Sequence, residues 1–309
     1  MTNQITLISV FLYCINSFAQ YDRILCYSFN SQLVDTIEIP NITPKYEKEG
    51  NPVDQEVFSF NLDSINLLLS ENSNNISDLL TAETSFDLDL YPISTITKIK
   101  GYKNGEFDRG FSGVMIGDRW LLTAAHCLRC CPDSYWFQDS LMAYTGYNGK
   151  HSFNSFSNVK NAYVYESFAN GKEWKDIAIL ELEEPIGNKS GWIGIKPITT
   201  KKEFNNIFFK FSYPAESNPD STKKYTGEEM QFMYVKMKKT DKTLMGTVNK
   251  SGFGIFGESG CALFKQEDEL FYAVGVLTYS ERYQHYKISP EDVSILNLII
   301  KNYKLLQVE

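Results

Sequence analysis

From Tyr91 onward the chain is a succession of short apolar segments punctuated by turn residues, and this pattern narrows the possible folds more than any other feature. Ile93 to Lys100, Gly113 to Ile116, Trp120 to Thr123, Leu141 to Tyr144, Ala162 to Glu166 and Ile177 to Leu182 each have strand length and strand composition. Pro185 interrupts the series, and a second one follows: Ile207 to Tyr213, Met230 to Met237, Leu244 to Val248, Gly260 to Phe264 and Ala273 to Tyr279. Regular short strands with little helix between them predict an all-β barrel or sandwich. The period changes only at the C-terminus. Ser289 reads as an N-cap, Pro290 suits the first helical position, and Asp292 completes a capping-box spacing. Val293, Leu296, Ile300 and Tyr303 then recur at three- and four-residue intervals, which predicts one amphipathic closing helix packed on a barrel.

The residues before Tyr91 follow other rules. Ile5 to Tyr13 form a short apolar run and Ser17-Phe18-Ala19 offers small residues for cleavage, so residues 1–19 read as an export signal, although Met1 to Gln4 lack Lys and Arg. Residues 20–90 read as an N-terminal extension or prosegment. Ile37 to Asn51 reads as loop, a short helix is expected within Val57 to Leu69, and Ser70 to Asp87 is an Asn- and Ser-rich linker open to proteolysis. No other apolar run is long enough for a membrane span. The expected product is secreted or periplasmic.

Among 309 residues, 43% are hydrophobic and 22% charged, with a net charge of -8. That acidity argues against a nucleic-acid partner, which would call for a basic surface. The cluster of Lys236, Lys238, Lys239 and Lys242 reads as a solvated strand face or loop.

The chain has three histidines, His126, His151 and His285, so imidazole chemistry near neutral pH must use one of them. Only His126 sits where an apolar strand, Trp120-Leu121-Leu122-Thr123, runs into small residues, Ala124-Ala125, that leave room for a reacting group. The sequence around it, W-L-L-T-A-A-H-C-L, resembles the catalytic-histidine segment of the chymotrypsin/trypsin-like serine endopeptidases. Two further stretches fit the same resemblance in the same order: Asp176-Ile177-Ala178-Ile179-Leu180-Glu181-Leu182 is similar to the aspartate motif, and Gly257-Glu258-Ser259-Gly260 to the serine motif. The resemblance runs from Tyr91 to the C-terminus. Tyr91-Pro92, Gly113 to Gly117 and Phe211 to Pro214 are most similar to the bacterial glutamyl-endopeptidase-like branch.

The resemblance implies two six-stranded antiparallel β-barrels with a C-terminal α-helix over residues 91–309. It implies that His126, Asp176 and Ser259 form a triad, with the N–H groups of Gly257 and Ser259 as an oxyanion hole. Thr278 falls where a hydroxyl reaches the aspartate. Phe253, Thr278, Tyr279 and Ser280 would line the substrate pocket. Phe253 stands where trypsin-like members carry an aspartate, which argues against Arg or Lys preference. The strand Val276 to Ser280 lacks the histidine of glutamate-specific members, and His285 could reach the pocket from the next strand. The partners implied are protein or peptide substrates, for a monomer with no cofactor. The alternative is an inactive homologue that binds peptides; all three triad positions are filled, which favours activity.

Departures from the pattern matter too. Relatives made as zymogens free an Ile or Val N-terminus whose amine pairs with the acid before the serine. Glu258 holds that acid's place, one methylene longer, and no Arg or Lys site followed by Ile-Val-Gly-Gly precedes the domain. Export permits disulfides. Cys127, Cys130, Cys131 and Cys261 allow three pairings; a triad would bring Cys261 near Cys127, which makes that bridge one candidate. His126-Cys127 with Cys130-Cys131 also resembles half a zinc site, but the chain offers too few further ligands, and no metal is expected.

Overall fold

The computed structural model describes residues 22–40, 42–53, 87–128, 138–149, 153–171, 175–215, 225–239, 241–247, 256–279 and 284–306. The export signal (1–19), the helix expected within 57–69, Cys130, Cys131, His151, Phe253 and Ser280 lie outside them.

Two strands precede the predicted series. β1 (Ile24–Ser28) and β2 (Leu33–Ile37) form a hairpin. The first barrel follows: β3 (Ile96–Lys103), β4 (Glu106–Met115), β5 (Trp120–Thr123), β6 (Ser140–Thr145), β7 (Ser155–Tyr165) and β8 (Ala178–Leu182). These six hydrogen-bond in the order β7-β6-β3-β4-β5-β8, and β8 returns to β7 to close the ring. A two-residue strand, β9 (Gly194–Ile195), leads to the second barrel. It comprises β10 (Ile207–Ser212), β11 (Gln231–Lys239), β12 (Leu244–Thr247), β13 (Ala262–Glu267), β14 (Leu270–Tyr279) and β15 (Gln284–Lys287). Its order is β13-β10-β11-β12-β15-β14, closed by β13 against β14. Closure removes exposed strand edges and turns alternate side chains into a filled interior. In the second barrel Phe208, Val235, Met237, Met245, Leu263 and Val274 pack together, while Phe209, Phe211, Phe232, Phe264 and Phe271 form an aromatic cluster on the other face of the same strands, with Phe211 and Phe232 centroids 4.7 Å apart. Along β11 the alternation is regular, with Met233, Val235 and Met237 inside and Lys236 and Lys238 exposed, as a solvated lysine face requires.

The C-terminal helix (Pro290–Leu306) follows the second barrel but packs on the first. Val293, Ile295, Leu296 and Ile299 are buried and share an apolar interface with Ile24, Leu122, Ile177 and Ile179. Each such side chain contributes about 1.5–3 kcal/mol when fully buried. The predicted capping box is present: Asp292 N–H donates to Ser289 Oγ at 3.2 Å, and Ser289 N–H donates to Asp292 Oδ2 at 2.7 Å.

The N-terminal extension is woven into this unit. β1 adds to the edge of β7 in antiparallel register, Ile24 opposite Tyr165. Arg23 clamps Glu166, with Nε 2.7 Å from Oε2. Lys48 exchanges two backbone hydrogen bonds with Ile195, at 2.8 and 2.7 Å, and Asn51 two with Trp192. Residues 22–53 thus bridge the first barrel and the connection to the second.

Candidate active site

β5 and β8 pair in antiparallel register with Thr123 opposite Ala178, so the residues just after β5 lie beside those just before β8. His126 stands in the single helical turn Ala125–Leu128 that follows β5, and Asp176 two residues before β8. The strand is immobilised by burial of Trp120, Leu121, Leu122 and Thr123, while Ala124 and Ala125 let the turn form without crowding. Asp176, 3% exposed, accepts the backbone N–H of His126 on Oδ1 at 2.8 Å and faces Nδ1 with Oδ2 at 2.7 Å. One carboxylate therefore fixes both the main chain and the ring. Thr278, on β14 of the other barrel, donates its hydroxyl to the same Oδ2. Thr278 is buried and its hydroxyl is committed to Asp176, not to a substrate pocket.

Ser259 arrives from the second barrel on a turn shaped by two glycines with positive φ, Gly257 (85°) and Gly260 (82°). A Cβ on Gly260 would sit 2.1 Å from Thr123 Oγ1 and 2.4 Å from the Ser112 carbonyl, so the turn presses directly on the strand that leads to His126. Ser112 on β4 secures it: its N–H donates to the Ser259 carbonyl at 2.9 Å and its Oγ to the Gly257 carbonyl at 2.7 Å. Ser259 is half-buried. The N–H groups of Gly257 and Ser259 donate no hydrogen bond among the described residues.

Burial alone would lower the His126 pKa. The Cys127 sulfur, 3.8 Å from Nε2, and the Asp176 carboxylate outweigh it and hold the imidazole well above its ordinary range. His285 behaves in the opposite way. It is 1% exposed on β15, neither ring nitrogen has a hydrogen-bond partner among the described residues, and burial, aided by the charge of Lys210, depresses its pKa well below the usual value. His285 is thus a residue of the second-barrel core and does not line an open pocket. Cys127 and Cys261 are both buried free thiols and are not bridged; Cys26 is also free. Burial pushes the Cys261 thiol up to about 12. Among the described residues no group of three or more His, Cys, Asp or Glu is arranged to hold a metal.

Glu258, between Gly257 and Ser259 in sequence, is fully buried. Its Oε1 lies 3.2 Å from Lys210 Nζ and accepts the Ser212 hydroxyl at 2.8 Å. Lys210 and Ser112 belong to no motif that sequence reasoning picks out, and Ser212 enters only within the resemblance of Phe211 to Pro214, with no role attached. The one available signal is a lysine set in the apolar run Ile207-Phe208-Phe209-Lys210-Phe211, where a charge needs a buried partner.

Two closed six-stranded antiparallel barrels, with a histidine–aspartate pair on one and a glycine-flanked serine presented by the other, define a chymotrypsin-like fold. The family comparison agrees. Residues 102–291 match the family model described as Trypsin, and the chain belongs to the trypsin family of serine proteases. Rabbit (Oryctolagus cuniculus) coagulation factor IX is 32% identical over 114 residues, covering 35% of this chain and 38% of that protein, so the match spans well under half of that relative's length. Among solved structures, a Glu endopeptidase in complex with MPD matches 68% of this chain and 91% of its own, with a TM-score of 0.53 and 23% identity. The protease Anisep from Arthrobacter nicotinovorans matches 67% and 92%, with a TM-score of 0.49 and 18% identity. The likeness to the Glu endopeptidase concerns the fold alone. No helix among the described residues is long and apolar enough to cross a membrane.

Proposed function

We propose that this chain is an exported serine endopeptidase in which Ser259 is the nucleophile, His126 the general base and acid, and Asp176 the group that fixes His126. The observation that carries the reading is the double grip of Asp176 on His126, through the backbone N–H and Nδ1. With the Nδ1 proton directed at Asp176, Nε2 carries the lone pair. His126 Nε2 takes the Ser259 proton as Oγ bonds to the carbonyl carbon of the scissile peptide. The oxygen that gains negative charge is met by the N–H groups of Gly257 and Ser259. His126 then passes the proton to the leaving amine as the C–N bond breaks, and water repeats the sequence to release the acid. Since only neutral imidazole can act as base, and the His126 pKa is raised, activity should climb with pH above the ordinary histidine range.

The docked hairpin β1–β2 supports a further point. Residues 22–53 belong to the working molecule, because their removal would uncover the β7 edge and unpair Arg23 from Glu166. Any cleavage that frees the enzyme would act at the export signal or within the linker and leave this segment docked.

Reaction with a fluorophosphonate probe, followed by peptide mapping, tests the assignment. Label on Ser259 that disappears in Ser259→Ala supports it. A folded wild type that takes no label and cleaves no peptide would favour a peptide-binding homologue.

A further inference from the structure

Building on the protease reading, we propose that Lys210 is a positioning residue: its ammonium holds the Glu258 carboxylate inside the second barrel and so keeps the two oxyanion donors aimed at the substrate. Lys210 and Ser212 are two apart on β10 and therefore share a face, and both meet Glu258 Oε1, at 3.2 and 2.8 Å. Lys210 is 1% and Glu258 0% exposed, so neither charge has solvent to replace the other. The peptide planes on either side of Glu258 place the N–H groups of Gly257 and Ser259. Gly257 fits tightly, since a Cβ there would lie 2.1 Å from the Tyr213 carbonyl, so these planes have little room and depend on Glu258 staying anchored. A corollary follows. The acid preceding the nucleophile already has its cation from within a strand of the same barrel, so ordering of the loop does not call for an α-amine exposed by cleavage.

A double-mutant cycle with kcat and KM measured separately tests this. Lys210→Met should lower kcat about 100-fold or more, the scale of losing one oxyanion donor, with KM changed less than about threefold. In a Glu258→Gln background the same change should cost less than about threefold, because no charge remains to be held. Loss of the same size in both backgrounds, or a folded Lys210→Met with wild-type kcat, overturns the proposal. If Lys210→Met does not fold, the double variant decides: it should fold and match Glu258→Gln, and a double variant that is unfolded or much slower contradicts the proposal. The corollary is checked by comparing a chain that starts at Gln20 with the same chain carrying a fused N-terminal peptide. Equal kcat is expected, and dependence on the free amine overturns it. A wild type that fails to label at Ser259 removes the protease reading itself, whereas a reactive wild type with an unimpaired Lys210→Met removes only this inference.

Discussion

Replacing Asp176 by Asn exchanges one oxygen for an NH₂ group and should nearly abolish turnover. The reason can be worked out from the hydrogen bonds at the site. Oδ1 accepts the His126 backbone N–H at 2.8 Å, so the introduced side-chain amide must turn its oxygen there; the reverse orientation would set NH₂ against N–H. The NH₂ group then faces Nδ1, where Oδ2 lies 2.7 Å away in the native protein. An NH₂ group there can only donate, so Nδ1 must accept and the imidazole proton moves to Nε2. Imidazole in that tautomer cannot take the Ser259 proton. In triad sites of this kind the wrong tautomer costs on the order of 10⁴ in kcat, or about 5.5 kcal/mol of barrier. The assay is peptide-ester hydrolysis across pH 5 to 10, with Glu181→Gln as control. Glu181 is buried away from His126, bound by Asn161 at 2.7 Å and Tyr163 at 2.9 Å, so its loss should affect stability more than turnover. Asp176→Asn with near-wild-type kcat at all pH values would refute the argument.

Two further expectations concern stability. His285→Leu should flatten the acid side of the stability curve. The folded pKa of His285 is depressed, so the unfolded state takes up its proton first, and stability falls as pH drops below about 6.5 at about 1.4 kcal/mol per pH unit until the folded pKa is reached; urea titrations at pH 7 and pH 5 with unchanged differences between wild type and variant would contradict this. Gly260→Ala should destabilise by about 3 kcal/mol or more, from a left-handed backbone and overpacking against Thr123 and Ser112, and a variant with an unshifted urea midpoint would show that the turn can relax.

How much of this is legible in the sequence varies by element. The strands with apolar alternation are readable, and Trp120–Thr123 agrees at both ends because strong burial and a Gly117-Asp118 turn bound it. A strand at His285 is expected but its bounds are not readable, because the four residues of β15, Gln284-His285-Tyr286-Lys287, lack an apolar run and are held by pairing with β12 and β14. β2 escapes for a related reason: Leu33 and Val34 are largely exposed, so the strand rests on backbone hydrogen bonds to β1. In the site, the contact of His126 with Asp176 follows from motifs that end and begin paired strands. The support from Ser112 depends on how the barrels meet, which no local pattern records, and for Lys210 the sequence shows a lysine in an apolar run but not its partner Glu258. The Cys127–Cys261 pairing is an inference from proximity, and the two thiols stay separate.

The central claim is that Ser259 forms a covalent acyl-enzyme, and the most direct measurement is the intact mass of the protein during turnover of an activated ester. After an acid quench, wild type should carry one acyl group, mapped to Ser259, and Asp176→Asn should form it on the order of 10⁴ more slowly. Ser259→Ala should hydrolyse nothing and gain no mass. Turnover without any mass increment, or an equal increment in Ser259→Ala, would contradict the account.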